Sequence, residues 1–314
     1  MPSQLILICG PTATGKTRLG VALAKALGEE VVSADSMQIY RGMTIGTAAP
    51  TAEEMDGVPP PHDRCGGPGG AVVRRPLRQV AIPIVDDILK RGKLPILVGG
   101  TGLWLDAVVQ GREFAPGQAG GAVRRELEAQ LAAEGMEPLL QELRRVDPES
   151  AARLHPADTK RILRALEVYR ETGETITAHD ERTRSLPPRY DAVWLGLRFA
   201  DREDMKALID RRVDAMVRSG LEEEVRALLQ SGLPPSATAW QAIGYKEFLG
   251  VLEGTATMEQ AVAEVKLRSR QYAKRQLTWL RRNPAIHWME WEKERNFEQA
   301  LQLSTEILTA AGVC

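Results

Sequence analysis

The chain has 314 residues, 43% of them hydrophobic and 26% charged, with a formal net charge of −1. That length carries a sizeable core and an inserted unit, the composition is that of a globular protein, and no apolar run approaches the roughly 18 residues of a membrane span. No membrane partner is therefore expected, and any polyanion would be met locally rather than by the whole surface.

Residues 4–9 read as a buried first strand. The run "LILIC" lacks the basic flank and small-residue cleavage site of a secretory leader. Next comes "GPTATGKTRLG", residues 10–20, after which Leu19, Leu23, Ala26 and Leu27 recur at helical spacing up to Gly28. A second short strand, "EVVSAD", ends at Asp35, and a third, "LPILVGG", runs from 94 into "GGTG" before an apolar helix over 103–109. From about Arg112 to Pro188 the text is helical and charged, without β-type runs, which predicts an inserted helical domain. The strand "AVWLGLRF" (192–199) returns the chain to the sheet, helices follow over roughly 203–230 and 258–282, and "AIHWME" reads as a late strand. The expected division is 1–112, 113–188 and 189–314. Residues 59–78, "PPPHDRCGGPGGAVVRRPLR", have neither periodicity and read as a long loop. Cys9, Cys65 and Cys314 are odd in number and share no metal spacing, so a reducing cytoplasm is expected.

Gly10, Gly15, Lys16 and Thr17 satisfy G-x-x-x-x-G-K-[ST], with Pro11, Thr12, Ala13 and Thr14 completing the loop. Glycines let backbone N–H groups converge on phosphate oxygens, the helix start adds positive potential, Lys16 adds a point charge, and Thr17 can ligate Mg²⁺. Strands alternating with helices around such a loop predict an α/β fold: a P-loop NTPase-like core with a parallel sheet flanked by helices, plus the inserted all-helical domain. Enzymes that split nucleotides commonly end a later strand in an Asp for Mg²⁺. "LPILV" ends in "GGTG" without one.

Asp35 stands eighteen residues after Thr17, beyond a strand's carboxyl end where α/β sheets bind ligands. It reads equally as a general base or metal-side group and as an N-cap in "ADSMQ". Thr101 faces the same crevice or caps the next helix. Of Arg211 and Arg212, one faces a phosphate while the other pairs with Asp210 or Asp214. The segment 266–282, "KLRSRQYAKRQLTWLRR", carries seven Lys or Arg and no acid, with Lys266, Arg270 and Lys274 along one helical face and Tyr272 and Trp279 interleaved. Such a stripe suits a phosphate backbone with unpaired bases stacking on the aromatics; the alternative is a solvated face. The histidines show no nucleophile or metal spacing.

Six segments, "GPTATGKT", "SADSMQIYRGMTIGTAAPTAEE", "GKLPILVGGTGLW", "VDPESAARLHPADTKRILRALEVYRETG", "AIGYKEF" and "RQYAKRQLTWLRR", resemble the tRNA dimethylallyltransferase family in the same order over nearly the whole chain. The resemblance implies transfer of a dimethylallyl group from dimethylallyl diphosphate to N6 of the adenine on the anticodon's 3′ side, with diphosphate released. It implies Mg²⁺ at Thr17, Asp35 as the base with Thr101 beside it, and Lys16 and Arg212 as cations on the diphosphate. The tRNA anticodon stem-loop, its adenine flipped out of the stack, is implied to meet Asp35, Ser36, Met37, Gln38 and Thr101; Arg124, Thr159, Lys160, Arg161, Ile162 and Leu163; Gln241, Ala242, Ile243, Gly244, Tyr245 and Lys246; and Lys274, Arg275, Gln276, Leu277, Thr278, Trp279, Leu280 and Arg281. A cytoplasmic monomer is expected.

Two features depart from that family. After "GVP" its members usually carry a "PHH"-like motif, an Asp-Pro and a helix start, in place of residues 59–78, a difference that a pair of compensating frameshifts accounts for. The stretch "GQAGGAV" at 117–123 is a smaller departure. The rival readings are a P-loop kinase of a small metabolite or nucleoside, and an RNA-binding protein with a regulatory P-loop.

Overall fold

A computed structural model of the chain describes residues 3–35, 37–38, 40, 42–58, 77–115, 121–234 and 237–313. Ser36, Cys65 and Cys314 lie outside them, as do residues 59–76 of the aperiodic stretch and 117–120 of "GQAGGAV". The chain divides into two compact units, Met1–Val109 with Arg189–Cys314, and Gln110–Pro188.

The first unit opens with β1 (Ser3–Cys9), α1 (Lys16–Leu27), β2 (Glu30–Ser33), α2 (Ala52–Met55), α3 (Leu77–Lys90), β3 (Pro95–Gly99) and α4 (Gly102–Gln110). The second holds α5 (Ala122–Glu134), α6 (Glu137–Val146), α7 (Pro148–Arg153), α8 (Thr159–Thr172) and α9 (Ile176–Arg184). The chain returns to the first as β4 (Tyr190–Phe199), α10 (Arg202–Arg218), α11 (Leu221–Gln230), a 3-10 turn (Thr238–Gln241), α12 (Tyr245–Leu252), α13 (Met258–Leu280), β5 (Ile286–Trp291) and α14 (Phe297–Ala310).

Among the described residues five strands form one parallel sheet, in the order β2-β3-β1-β4-β5. Central β1 is apolar and buried from Leu5 to Cys9, as a strand covered on both faces must be. Ile6 and Ile8 point to one face, where Leu19 and Leu23 of α1, Ile209 of α10 and Leu308 of α14 cover them. Leu5 and Leu7 point to the other, against Val85 and Ile88 of α3, Leu105 and Val108 of α4, and Leu280 of α13. Ile8 lies opposite Val98 on β3 and Leu195 on β4, a register that brings the carboxyl ends of β1 and β3 to one level.

Local chemistry sets several element ends. Gly28, with φ +75°, closes α1 in the left-handed conformation that ends many helices. The helix expected over 203–230 is two helices, because Gly220 turns the chain at φ +94° between α10 and α11. The 23-residue α13 starts at a capping box in which Thr257 and Gln260 satisfy each other's backbone N–H groups. A further apolar cluster joins Val213, Leu221, Val225, Phe248 and Val265 around buried Tyr245. In the helical unit, α5, α6 and α8 pack Leu127, Leu139, Leu143, Ile162 and Leu166 together. Among the described residues no helix is long and apolar enough to cross a membrane.

Candidate active site

Between β1 and α1 the chain makes a loop that only small residues can make. Gly10 has φ +147°, and a Cβ there would lie 2.3 Å from the carbonyl oxygen of Leu197. Gly15 has φ +87°, and its Cβ would meet the Phe297 ring at 2.6 Å. Gly15 caps α1 without a side-chain bond, so the first N–H groups of the helix are open to an anion.

The loop is braced from behind. Thr14 Oγ1 donates to Pro11 O at 2.9 Å, and Trp291 Nε1 donates to Thr14 O at 2.8 Å. Gln276 Oε1 accepts from Thr12 N at 2.9 Å, Arg295 reaches Ala13 O at 3.4 Å, and the Arg18 guanidinium sits 4.1 Å from the Phe297 ring centre. Lys16 Nζ donates to Pro11 O at 2.7 Å.

In front of the loop lies a cavity of about 950 Å³. Thr12, Ala13, Gly15, Lys16 and Thr17 line one side, while Asp35, Gln38, Thr44, Ile45, residues 47–51, Glu54, Arg211, Arg212 and Tyr272 are among those that line the rest. Lys16 is held well below its ordinary 10.5, at about 8, because burial penalises its charge and Arg212 repels it, although Asp35 pulls the other way. Burial likewise lowers Arg212, against the attraction of Asp35 and Glu54. Two cations paying this cost around one cavity mark a site built for an anion. Burial also raises the Cys9 thiol, at the end of β1, to about 12, so it takes no part as a nucleophile.

Asp35 lies just past β2, in a turn and not at a helix start, so the N-cap expectation is not met. Its Oδ1 instead accepts from Met37 N at 2.8 Å, and its own N–H points to Ser33 Oγ at 3.3 Å. Thr101 stands at the start of α4, its hydroxyl sharing a hydrogen bond of 2.8 Å with the Tyr272 hydroxyl. Burial raises the Tyr272 phenol, as does the charge of Asp35, which places all three groups in one electrostatic neighbourhood.

For a metal, the cavity offers the Thr17 hydroxyl and the carboxylates of Asp35 and of Glu54, the latter already accepting from Thr51 N. Among the described residues no group of three or more His, Cys, Asp or Glu could hold a metal ion. So sparse a set of oxygen donors fits Mg²⁺, which keeps several waters and takes its other ligands from substrate phosphates, and does not fit a protein-caged metal.

The remaining expected contacts separate by burial. Lys160, Arg161, Gln241, Lys246, Lys274, Arg275, Thr278, Trp279 and Arg281 are exposed, and Thr159, Arg124, Met37 and Ile243 are half-buried. Ile162 and Leu163 instead fill the helical core, Ala242 and Tyr245 the cluster under α11, and Leu277 and Leu280 are buried, as is Gly244. Those side chains face protein because the apolar stripe of an amphipathic helix runs through any contiguous motif. Gln276 is buried as well and braces the loop. Gln38 spends its amide on Ser33 Oγ, Thr47 O and Ala48 O. Arg124 reaches Glu128 at 2.8 Å and buried Glu167 at 3.8 Å.

The basic stripe needs a correction. Arg270 forms two 2.7 Å bonds to Asp210, and Lys266 pairs with Asp214 at 2.6 Å, so these cations latch α13 to α10. Asp210 and Asp214 are thereby taken, and Arg211 pairs with neither but lines the cavity beside Arg212. Residues that sequence reasoning missed are Glu224, Trp291, Arg295 and Phe297. They are remote in sequence from the loops they hold, and no short-range pattern signals them.

A family model described as IPP transferase matches residues 38–283, and one described as isopentenyl transferase matches residues 3–59. The chain is 42% identical over 290 residues to a tRNA dimethylallyltransferase of Halalkalibacterium halodurans, covering 92% of each. Among solved structures it is similar to the full-length tRNA isopentenylpyrophosphate transferase of Bacillus halodurans, at 39% identity and a TM-score of 0.70, over 98% of this chain and 96% of that one. It is also similar to a eukaryotic dimethylallyltransferase described as acting on tRNA, at 26% identity and a TM-score of 0.78, over 98% and 80%. A phosphate loop without the acid of nucleotide-splitting enzymes, a facing carboxylate and likeness along nearly the whole length lead to one assignment: the chain belongs to the IPP transferase family, that of the tRNA dimethylallyltransferases.

Proposed function

We propose that this protein transfers the dimethylallyl group of dimethylallyl diphosphate to N6 of the adenine on the 3′ side of the tRNA anticodon, releasing diphosphate. The observation that carries this reading is the cavity in which an anion cradle and a carboxylate face each other. The open N–H groups at the start of α1, with Lys16 and Arg212, suit the diphosphate, whose charge grows as its bond to the allylic carbon breaks. Mg²⁺ held by the Thr17 hydroxyl, with Asp35 close by, would supply further neutralisation of that leaving group.

The adenine N6 forms the new bond to carbon and loses a proton, which the Asp35 carboxylate accepts. Tyr272 and Thr101, joined by their hydrogen bond, border that point and orient the incoming amine. The tRNA contacts proposed for side chains narrow to the exposed or half-buried Met37, Arg124, Thr159, Lys160, Arg161, Gln241, Ile243, Lys246, Lys274, Arg275, Thr278, Trp279 and Arg281. The substrate supports a place in the cytoplasm.

Incubation with labelled dimethylallyl diphosphate and unmodified tRNA should move label to the tRNA. Asp35→Ala should keep tRNA binding and lose transfer by about 10²- to 10⁴-fold, the contribution of a positioned base. Transfer near the wild-type rate returns Asp35 to the role of a turn residue, and ATP-dependent phosphorylation of a small molecule without labelling of tRNA replaces the transferase by a kinase.

A further inference from the structure

Thr44, Ile45 and residues 47–51 line the cavity, and the stretch 42–51 belongs to no helix or strand, so something outside the stretch must hold it. That something is the carboxylate of Glu224, in the first turn of α11. Its Oε2 accepts from Thr44 N at 2.7 Å, from Thr44 Oγ1 at 2.6 Å and from Ile45 N at 2.8 Å. Its Oε1 accepts from Gly46 N at 3.0 Å and from the Tyr245 hydroxyl. Five donors more than fill the roughly four lone-pair sites of one carboxylate. Gly46 also lies against the Tyr245 ring, where a Cβ would come within 2.4 Å, so this turn is clamped on two sides.

The hydrogen bonds continue towards the reacting groups. Gln38 Nε2 donates to Thr47 O at 3.2 Å and Ala48 O at 3.3 Å, its Oε1 accepts from Ser33 Oγ at 2.7 Å, and Ser33 Oγ in turn receives Asp35 N–H at 3.3 Å. Burial works against the Glu224 charge, yet the donors outweigh it and the carboxyl titrates below its ordinary range. An apolar side chain in its place would leave the N–H groups of Thr44, Ile45 and Gly46 without this acceptor. The carboxylate therefore serves the placement of the loop.

We propose that Glu224 is a positioning residue of the transfer reaction, acting through the turn at 44–46, Gln38 and Ser33 to fix Asp35 against the phosphate loop. This rests on the reading of Asp35 as the proton acceptor. Glu224→Gln keeps the shape but turns an N–H₂ group towards N–H and O–H donors, whichever way the amide is placed. The single-turnover rate at saturating donor and tRNA should fall by about 10- to 100-fold, as expected when a reacting group is displaced by an ångström or less. Binding of a non-transferable alkyl diphosphate should stay within about twofold, since the cradle residues 10–17 are not attached to this path. Glu224→Asp, which restores the charge, should recover part of the rate.

Gln38→Ala cuts the same path, so the losses of the double variant should coincide and not multiply. A folded Glu224→Gln protein that transfers at the wild-type rate, or losses that multiply, would overturn the proposal. Amide exchange gives a readout independent of turnover: in Glu224→Gln the amides of Asp35 and Met37 should exchange faster while those of β1 keep their protection. Unchanged protection of those two amides also overturns it, even if the wild type proves to transfer nothing and the reading of Asp35 fails by itself. Should Glu224→Gln not fold, Tyr245→Phe removes one of the five donors and leaves the charge. A rate loss of about two- to fivefold is then expected, and none is refuting.

Discussion

Raising the pH from about 7 to about 9.5 should weaken the binding of a non-transferable alkyl diphosphate, and the change should track one ammonium group. Lys16 lies in the cavity wall with its pKa held at about 8, by burial first and by Arg212 second. At about 1.4 kcal/mol for each tenfold, keeping this amine charged in the empty cavity costs about 3 kcal/mol, less whatever solvent relieves at a half-buried group. A bound diphosphate favours the charged form and raises the pKa. Below about 8 the amine already carries its proton and affinity is at its full value; above it binding must take up a proton, and affinity falls by up to about tenfold per pH unit. The expected loss over the range is about 10- to 30-fold. The ligand's own terminal phosphate, with a second pKa of about 6, is ionised throughout and adds nothing. Calorimetry in two buffers of different ionisation heat at about pH 9 should register the proton taken up. Lys16→Arg should abolish the pH dependence, because a guanidinium does not titrate there. Arg212→Gln should weaken binding yet move the midpoint upward, by removing the repelling charge. A flat wild-type profile, or a Lys16→Arg profile that falls in parallel, refutes the assignment of the dependence to Lys16.

Gly15→Ala places a side chain at φ +87° and 2.6 Å from the Phe297 ring, and should weaken alkyl diphosphate binding at least about tenfold through about 1–3 kcal/mol of backbone strain and the clash. Adding Phe297→Ala should recover only the part due to the clash, as read by the same titration. Arg270→Gln breaks the bonds to Asp210 and should cost about 1–3 kcal/mol in denaturant unfolding, while the salt dependence of tRNA affinity stays as it is. Lys274→Gln with Arg275→Gln should do the reverse, flattening that dependence by roughly 0.7 to 0.9 in slope for each phosphate that is no longer neutralised.

What could be read from the sequence is what is local. The phosphate loop was legible because its glycines, lysine and threonine must stand at fixed offsets between a strand and a helix, and they do so here at Gly10, Gly15, Lys16 and Thr17. The strands were legible because burial on both faces makes them continuous apolar runs. Asp35 and Thr101 could be placed beyond strand ends, but whether they capped helices or faced the cavity depended on Met37 and Tyr272, partners the periodicity does not identify. The basic stripe misled because charge pattern on one helix says nothing of the acids on the next. Asp210 and Asp214 lie on α10, some fifty to sixty residues earlier, and they decide that Arg270 and Lys266 serve packing. Glu224 was hidden for the same reason. An acid in the first turn of a helix is ordinary, and only the folded chain reveals that it is aimed at Thr44, Ile45 and Gly46.

The supports behind the phosphate loop carry a consequence for how the protein is made. The loop is synthesised well before Trp291, Arg295 and Phe297, which hold Thr14, Ala13 and Gly15 from behind; Trp291 follows Thr14 by 277 residues and Arg295 follows Ala13 by 282. At about 5–20 residues per second, the nascent chain waits on the order of tens of seconds between the two. For most of that interval β1 lacks its neighbour β4 and exposes an apolar edge, and the loop lacks the bonds that Trp291 and Arg295 give it. Chaperone dependence in the cell should therefore concentrate on this half-built sheet.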